Sequence, residues 1–166
     1  LAARACAQVE RASGSDRHMT AEFHLQATAS EMSVRALLAE MRAYLRAADV
    51  SEMACGTVEI ALAEALNNIV EHAYDGAEAG EIGLHARLGR AELVCTLSDR
   101  GAALPTLHLT EGRLPEIGSR PEALPEGGFG WFLIRSLTRD IHYTHEADGN
   151  RLTLRFDLPA PDGSDT

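Results

Sequence analysis

Glu59-Ile60-Ala61-Leu62-Ala63-Glu64-Ala65-Leu66-Asn67-Asn68-Ile69-Val70-Glu71-His72-Ala73-Tyr74 is the stretch from which the rest of the chain is read. At about 100° per residue, Val58, Leu62, Ala65, Leu66, Ile69 and Ala73 fall on one broad apolar face. Glu64, Asn68, Glu71 and His72 form a narrow polar stripe beside it. Ile60, Ala61, Ala63 and Val70 make much of the remaining circumference apolar too, which an ordinary surface helix does not show. A helix buried nearly all round, with carboxylate and amide groups one turn apart, must satisfy those groups. A cation with a polar ligand does so, and so does backbone or water. This helix alone leaves both open.

Working outward, Ser51 caps this helix and Gly76 suits its left-handed C-terminal position. Upstream, Ser30 caps a second helix running to about Ala48, with Val34, Leu37, Leu38, Met41, Tyr44 and Leu45 inward. Arg35, Arg42 and Arg46 face solvent or a partner. Before it, Phe23, Leu25 and Ala27 alternate with polar residues over Glu22–Ala27, the pattern of a half-buried strand. Residues 1–20 read as a tail or linker, with Met19 a candidate start.

Downstream, Glu81–Leu88 and Glu92–Ser98 form a hairpin through Gly89-Arg90, ending in Ser98-Asp99-Arg100-Gly101. From Ala102 to Glu126 periodicity stops, broken by Pro105, Pro115, Pro121 and Pro125. A loop this long is a lid, a binding segment or an idle insertion. It closes on Gly127-Gly128-Phe129-Gly130, which opens a helix. Bare glycines at a helix N-terminus offer N–H groups to phosphate, or simply allow close packing. Strands at Ile141–His145 and Arg151–Leu158 finish the domain around a turn at Asp148-Gly149-Asn150, and residues 159–166 read as a disordered tail. The order of elements predicts an α+β fold: a two-layer sandwich with helices on one face of a mixed, largely antiparallel sheet, over residues 21–158.

Composition narrows the function. The 166 residues carry a net charge of -10, which argues against direct nucleic-acid or anionic-membrane binding. No apolar run approaches the ~18 residues of a membrane span. Cys6, Cys55 and Cys95 show no paired spacing, which reads as a reducing, cytoplasmic setting. The His residues do not cluster at zinc-like spacing, and His142 and His145 face opposite ways on a strand. All fifteen basic residues are Arg. Without lysine there is neither a P-loop nor the strand lysine of eukaryotic-type protein kinases.

Three segments, Glu64-Ala65-Leu66-Asn67-Asn68, Asp99-Arg100-Gly101 and Glu126-Gly127-Gly128-Phe129-Gly130-Trp131-Phe132-Leu133-Ile134, resemble in order and spacing the GHKL (Bergerat-fold, histidine-kinase-like ATPase) superfamily. The runs E-x-x-x-N-x-x-x-H-A-Y and G-G-x-G-x-F-L-I resemble its anti-sigma-factor serine/threonine kinase branch, and the resemblance covers residues 22–158. It implies ATP with Mg²⁺ as cofactor, and Asn68 as the metal ligand and part of the nucleotide site. It implies Glu64 as the base that takes the proton of an attacking Ser or Thr hydroxyl. It also implies Asp99 as the acceptor for the adenine amino group, with Gly101 passing close to the base. Gly127, Gly128 and Gly130 become the phosphate-side glycines, residues 102–126 the lid, and Thr153 a hydroxyl near the adenine. Asn67 offers a second amide, so the choice of Asn68 rests on the i+4 count from Glu64. Packing or helix-end contacts account for His72 and Tyr74 as well as chemistry does, and Trp131 reads as core. Arg35 matches a partner-binding position, or is simply solvated. Arg100, Arg113 and Arg120 either neutralise phosphates or are idle.

The implied function is an anti-sigma-factor kinase that phosphorylates a STAS-domain antagonist on Ser or Thr and sequesters a sigma factor, as a homodimer. The alternative is a non-catalytic, nucleotide-gated switch that holds its partner.

Overall fold

Phe23 and Leu25 are buried on one side of β2 (Ala21–Thr28), while Glu22, His24 and Gln26 on the other side are exposed. Period-two alternation of this kind buries one face of a sheet and leaves the other in water. The computed structural model describes residues 4–5, 21–74, 80–104 and 128–159. In it, β1 (Arg4–Ala5), β2, β3 (Glu81–Leu88), β4 (Glu92–Asp99), β5 (Asp140–Glu146) and β6 (Gly149–Asp157) form one sheet in the order β1-β2-β3-β4-β6-β5. Every described pairing is antiparallel. The expected mixed character is not seen among the described strands: β2 and β3, joined through two helices, pair antiparallel, and β6 lies between β4 and β5, the two strands joined through the third helix. Arg4 and Ala5, within the stretch read as a tail, pair with Gln26 and Leu25 at the sheet edge.

Register sorts the inner face into rows. Leu25, Leu84, Leu97, Leu152 and Tyr143 lie opposite one another from strand to strand. The next row is Ala27, Ile82, Asp99, Asn150 and His145. The apolar face of the sheet therefore ends in a polar row.

Two α-helices cross between β2 and β3. In α1 (Glu31–Ala47), the Ser30 hydroxyl accepts from the Ser33 N–H, and Val34, Leu37, Met41 and Leu45 are buried. In α2 (Glu52–Asn68), Ser51 caps through the Ala54 N–H, and the buried face is Ala54, Cys55, Val58, Ala61, Leu62, Ala65 and Leu66. Each fully buried Leu stabilises the fold by about 1.5–3 kcal/mol relative to exposure. Ile60 is 48% exposed, so burial all round α2 is incomplete. Arg42 pairs with Glu52 and Glu59, and Arg46 with Glu52, while Arg35 is exposed. The two arginines thus knit α1 to α2 while remaining partly exposed, as expected.

The helix does not run unbroken to residue 74. After Asn68 it widens into a π-helical turn, Ile69–Ala73. A third helix, α3 (Gly128–Leu137), packs on α2, with Trp131 and Ile134 buried. Cys55 and Cys95 are buried free thiols. No described helix is long and apolar enough to cross a membrane. Gly76, residues 105–126, Gly127 and residues 160–166 lie outside the described residues.

Candidate functional site

Glu64 and Asn68 are one helical turn apart on α2 and both half-buried, whereas Glu71 and His72 of the same polar stripe are exposed. The π-helical turn causes this split: its wider winding rotates the later residues away from the α-helical stripe. The first turn of α3 packs onto the half-buried pair. A Cβ at Gly130 would lie 2.8 Å from Oε2 of Glu64 and 3.8 Å from Nδ2 of Asn68. Asn68 Nδ2 is buried and has no hydrogen-bond partner among the described residues. Leaving such a group unpaired costs on the order of 1–3 kcal/mol, so this amide is a natural point for a ligand to engage.

A half-turn of the amide would present Oδ1 at the same point. One amide oxygen beside a carboxylate suits Mg²⁺, which takes few protein ligands and completes its shell with water and phosphate oxygens. The described residues hold no cluster of three His, Cys, Asp or Glu that could cage a metal alone. The donor set therefore fits a cation shared with a phosphorylated ligand.

The second part of the site lies past the π-helical turn. A Cβ at Gly101 would collide with the carbonyl of Ala73, which also accepts from the Ala102 N–H at 2.9 Å. Gly101 is thus bare because the helix end sits against it. Tyr74 reinforces the join: its hydroxyl accepts from the Arg100 N–H and donates to the Glu81 carbonyl, each at 3.0 Å. Helix-end contacts therefore account for Tyr74.

Asp99, the last residue of β4, is only 5% exposed. Its Oδ1 accepts from the Gly101 N–H and from Asn150 Nδ2, both at 2.8 Å. Among the described residues no donor reaches its Oδ2. Asn150, in the Asp148-Gly149-Asn150 turn by sequence, is 4% exposed and lies at the start of β6. Gly149 before it has φ 132°, and a side chain there would strike the Asp99 carbonyl, so only glycine lets β6 start this close.

Thr153 is elsewhere. Three residues beyond Asn150, it faces the opposite side of the sheet, where its hydroxyl meets that of Thr96 at 3.4 Å. The structure does not bring Thr153 to Asp99; the residue that faces Asp99 across the ladder is Asn150. The missed signal was the strand's parity, since Asn150 shares the inner face with Leu152 and Leu154. Gly128 begins α3, and Trp131 is core as expected. Arg113 and Arg120 lie outside the described residues. A cavity of about 230 Å³ is bordered by Gln26, Gly83, Ser98, Arg100, Thr144 and Arg151 as well as by Asp99 and Asn150. It includes neither Glu64 nor Asn68, and most of its lining is on the outer sheet face.

Residues 27–156 match the histidine kinase-like ATPase domain family. The chain belongs to that family. As a histidine kinase-like ATPase domain it is 40% identical over 91 residues to the serine-protein kinase RsbW of Halalkalibacterium halodurans, covering 54% of this chain and 55% of that protein. It is 32% identical over 90 residues to the serine-protein kinase RsbW of Oceanobacillus iheyensis, covering 54% and 57%. The chain thus spans little more than half the length of these curated relatives. The crystal structure of the RsbU and RsbW domains of Rv1364c from Mycobacterium tuberculosis shares its fold, with a TM-score of 0.61 over 84% of this chain and 33% of that one, at 20% identity.

Proposed function

We propose that this domain is an anti-sigma-factor serine/threonine kinase, which binds ATP with Mg²⁺ and phosphorylates a STAS-domain partner. The observation that carries the reading is the unpartnered Asn68 amide beside Glu64, under the first turn of α3. The similarity to serine-protein kinases named RsbW supports the same direction.

In this reading Asp99 accepts from the adenine amino group through Oδ2, which fixes one end of the nucleotide. The N-terminal turn of α3 receives the phosphates, where free N–H groups and the helix dipole favour negative charge. Asn68 would hold Mg²⁺, which would supply charge neutralisation to the phosphates. Glu64 accepts the proton of the partner's Ser or Thr hydroxyl. The hydroxyl oxygen forms a bond to the γ-phosphorus as the bond to the β–γ bridging oxygen breaks, and ADP leaves. General-base help of this kind contributes roughly 10²–10⁴-fold, so positioning and charge stabilisation supply the rest.

Sequestering a sigma factor, as a homodimer in the cytoplasm, belongs to the same proposal. Incubation with γ-labelled ATP, Mg²⁺ and a STAS-domain protein tests it. Label on a Ser or Thr of the partner is the expected result. Nucleotide binding without any transfer would leave a nucleotide-gated switch instead.

A further inference from the structure

Asn150 is the hub of a closed hydrogen-bond network around Asp99. Its Nδ2 donates to Asp99 Oδ1 at 2.8 Å, to the Ala102 carbonyl at 2.9 Å and to the Gly101 carbonyl at 3.2 Å. Its Oδ1 accepts from the Tyr143 hydroxyl and from His145 Nδ1, both at 2.7 Å. Three oxygens on one side and two donors on the other define the amide's orientation, because the flipped amide would set oxygen against oxygen. The Tyr143 hydroxyl in turn accepts from the Leu104 N–H at 2.9 Å. Burial pushes the Tyr143 phenol above its ordinary value, so it stays an O–H donor. Facing the amide oxygen, His145 Nδ1 is the donor of this pair, which selects the tautomer protonated there.

We propose that Asn150, held by Tyr143 and His145, is the positioning residue that aims the Asp99 carboxylate at an exocyclic amino group, and so sets preference for amino-purine over oxo-purine nucleotides. The inference rests on the nucleotide-binding reading above. The physical reason is saturation. With two donors on Oδ1, Asp99 keeps one rotamer and offers a single free oxygen, Oδ2. Without Asn150, Oδ1 keeps only the Gly101 N–H, and the carboxylate is free to turn or to take water in place of the base.

Isothermal titration of the protein with ATP and with inosine triphosphate, each with Mg²⁺, tests this. Inosine triphosphate has the same phosphates but a carbonyl where adenine has its amino group. The wild-type protein should bind ATP about tenfold more tightly or better, the worth of one hydrogen bond to a charged group. In Asn150→Ala the ATP affinity should fall about tenfold while that for inosine triphosphate changes less than about twofold, so the ratio approaches one. A role in folding alone would weaken both nucleotides together and keep the ratio. That outcome overturns the proposal. Should Asn150→Ala fail to fold, Tyr143→Phe removes a single hydroxyl and must still lower the ratio, by about two- to fivefold; an unchanged ratio there overturns it. Wild-type protein that binds neither nucleotide overturns the nucleotide reading itself, whereas wild-type protein that binds both equally overturns only the role of the Asp99–Asn150 pair.

Discussion

The bare Cα of Gly130 faces the carboxylate of Glu64 so closely that a methyl group would sit 2.8 Å from Oε2. Helix α3 approaches α2 by way of this missing side chain, and the approach brings the glycine-led N-terminus over the Glu64–Asn68 pair. Gly130→Ala should therefore fold, because the atom it strikes is the far end of a half-buried, flexible side chain. Alanine also favours a helix over glycine by about 0.5–1 kcal/mol. The carboxylate has to swing away, so phosphotransfer should drop about 10–100-fold, since small misplacements of a reacting group cost that much. Thermal melting together with transfer kinetics checks both halves.

Gly101→Ala should behave in the opposite way. Its methyl group would meet the backbone carbonyl of Ala73, and that carbonyl already accepts from Ala102. Backbone at the end of a packed helix cannot step aside as a side-chain tip does. A loss of about 2 kcal/mol or more is expected, read as a lower urea midpoint, and a midpoint equal to that of wild type would contradict the close approach.

Glu64→Gln keeps the shape of the side chain and removes the proposed base. Transfer to the partner should fall by about 10²–10⁴, with ATP affinity within about threefold of wild type. A variant that transfers phosphate at the normal rate would remove Glu64 from the mechanism.

Asn68→Ala should abolish most of the Mg²⁺-dependent gain in ATP affinity, while nucleotide binding in the presence of chelator stays as it was. Asn68→Asp retains an oxygen ligand and should keep the metal dependence. Calorimetry with and without Mg²⁺ reads the difference, and an unaltered metal response in Asn68→Ala would refute the ligand assignment.

Tyr44 supplies a pH signature far from the site. Burial, with nearby negative charge, pushes its phenol from 10.0 up to about 12, and its hydroxyl donates to the Ala21 carbonyl at 2.7 Å. Below pH 10 both folded and unfolded chains hold the proton and the contribution is complete. Between the two values the unfolded chain releases its proton first, so stability falls as pH rises. The ring is partly exposed, which reduces the full two-unit value to about 1 kcal/mol. Tyr44→Phe should cost about 1 kcal/mol at pH 9, and most of that cost should vanish by pH 12. Urea denaturation at the two pH values provides the comparison.

Much of the architecture was legible because burial has a period. Ser30 and Ser51 cap their helices, Glu81–Leu88 is a strand of the same bounds, and Phe23, Leu25, Leu152, Leu154 and Phe156 face inward. The π-helical turn at Ile69–Ala73 was not legible, since nothing in a 3.6-residue pattern announces an inserted residue. Its consequence reaches the site, because it separates Glu71 and His72 from the stripe that Glu64 and Asn68 share. Thr153 was drawn to Asp99 by likeness of motif, although strand parity alone sends it to the other face.

Local order along the chain singled out the candidate residues: the carboxylate and amide one turn apart on α2, the Asp at a strand end, and the glycines that lead into α3. Those are short-range facts, set by helix and strand periods within a few residues. Which of them meet, and what holds them, was decided only in three dimensions. Asn150 reaches Asp99 from 51 positions away, and Gly130 reaches Glu64 across two helices. Contacts of that kind come from sheet register and from how closely two backbones can pack, and neither is written in any local stretch of residues.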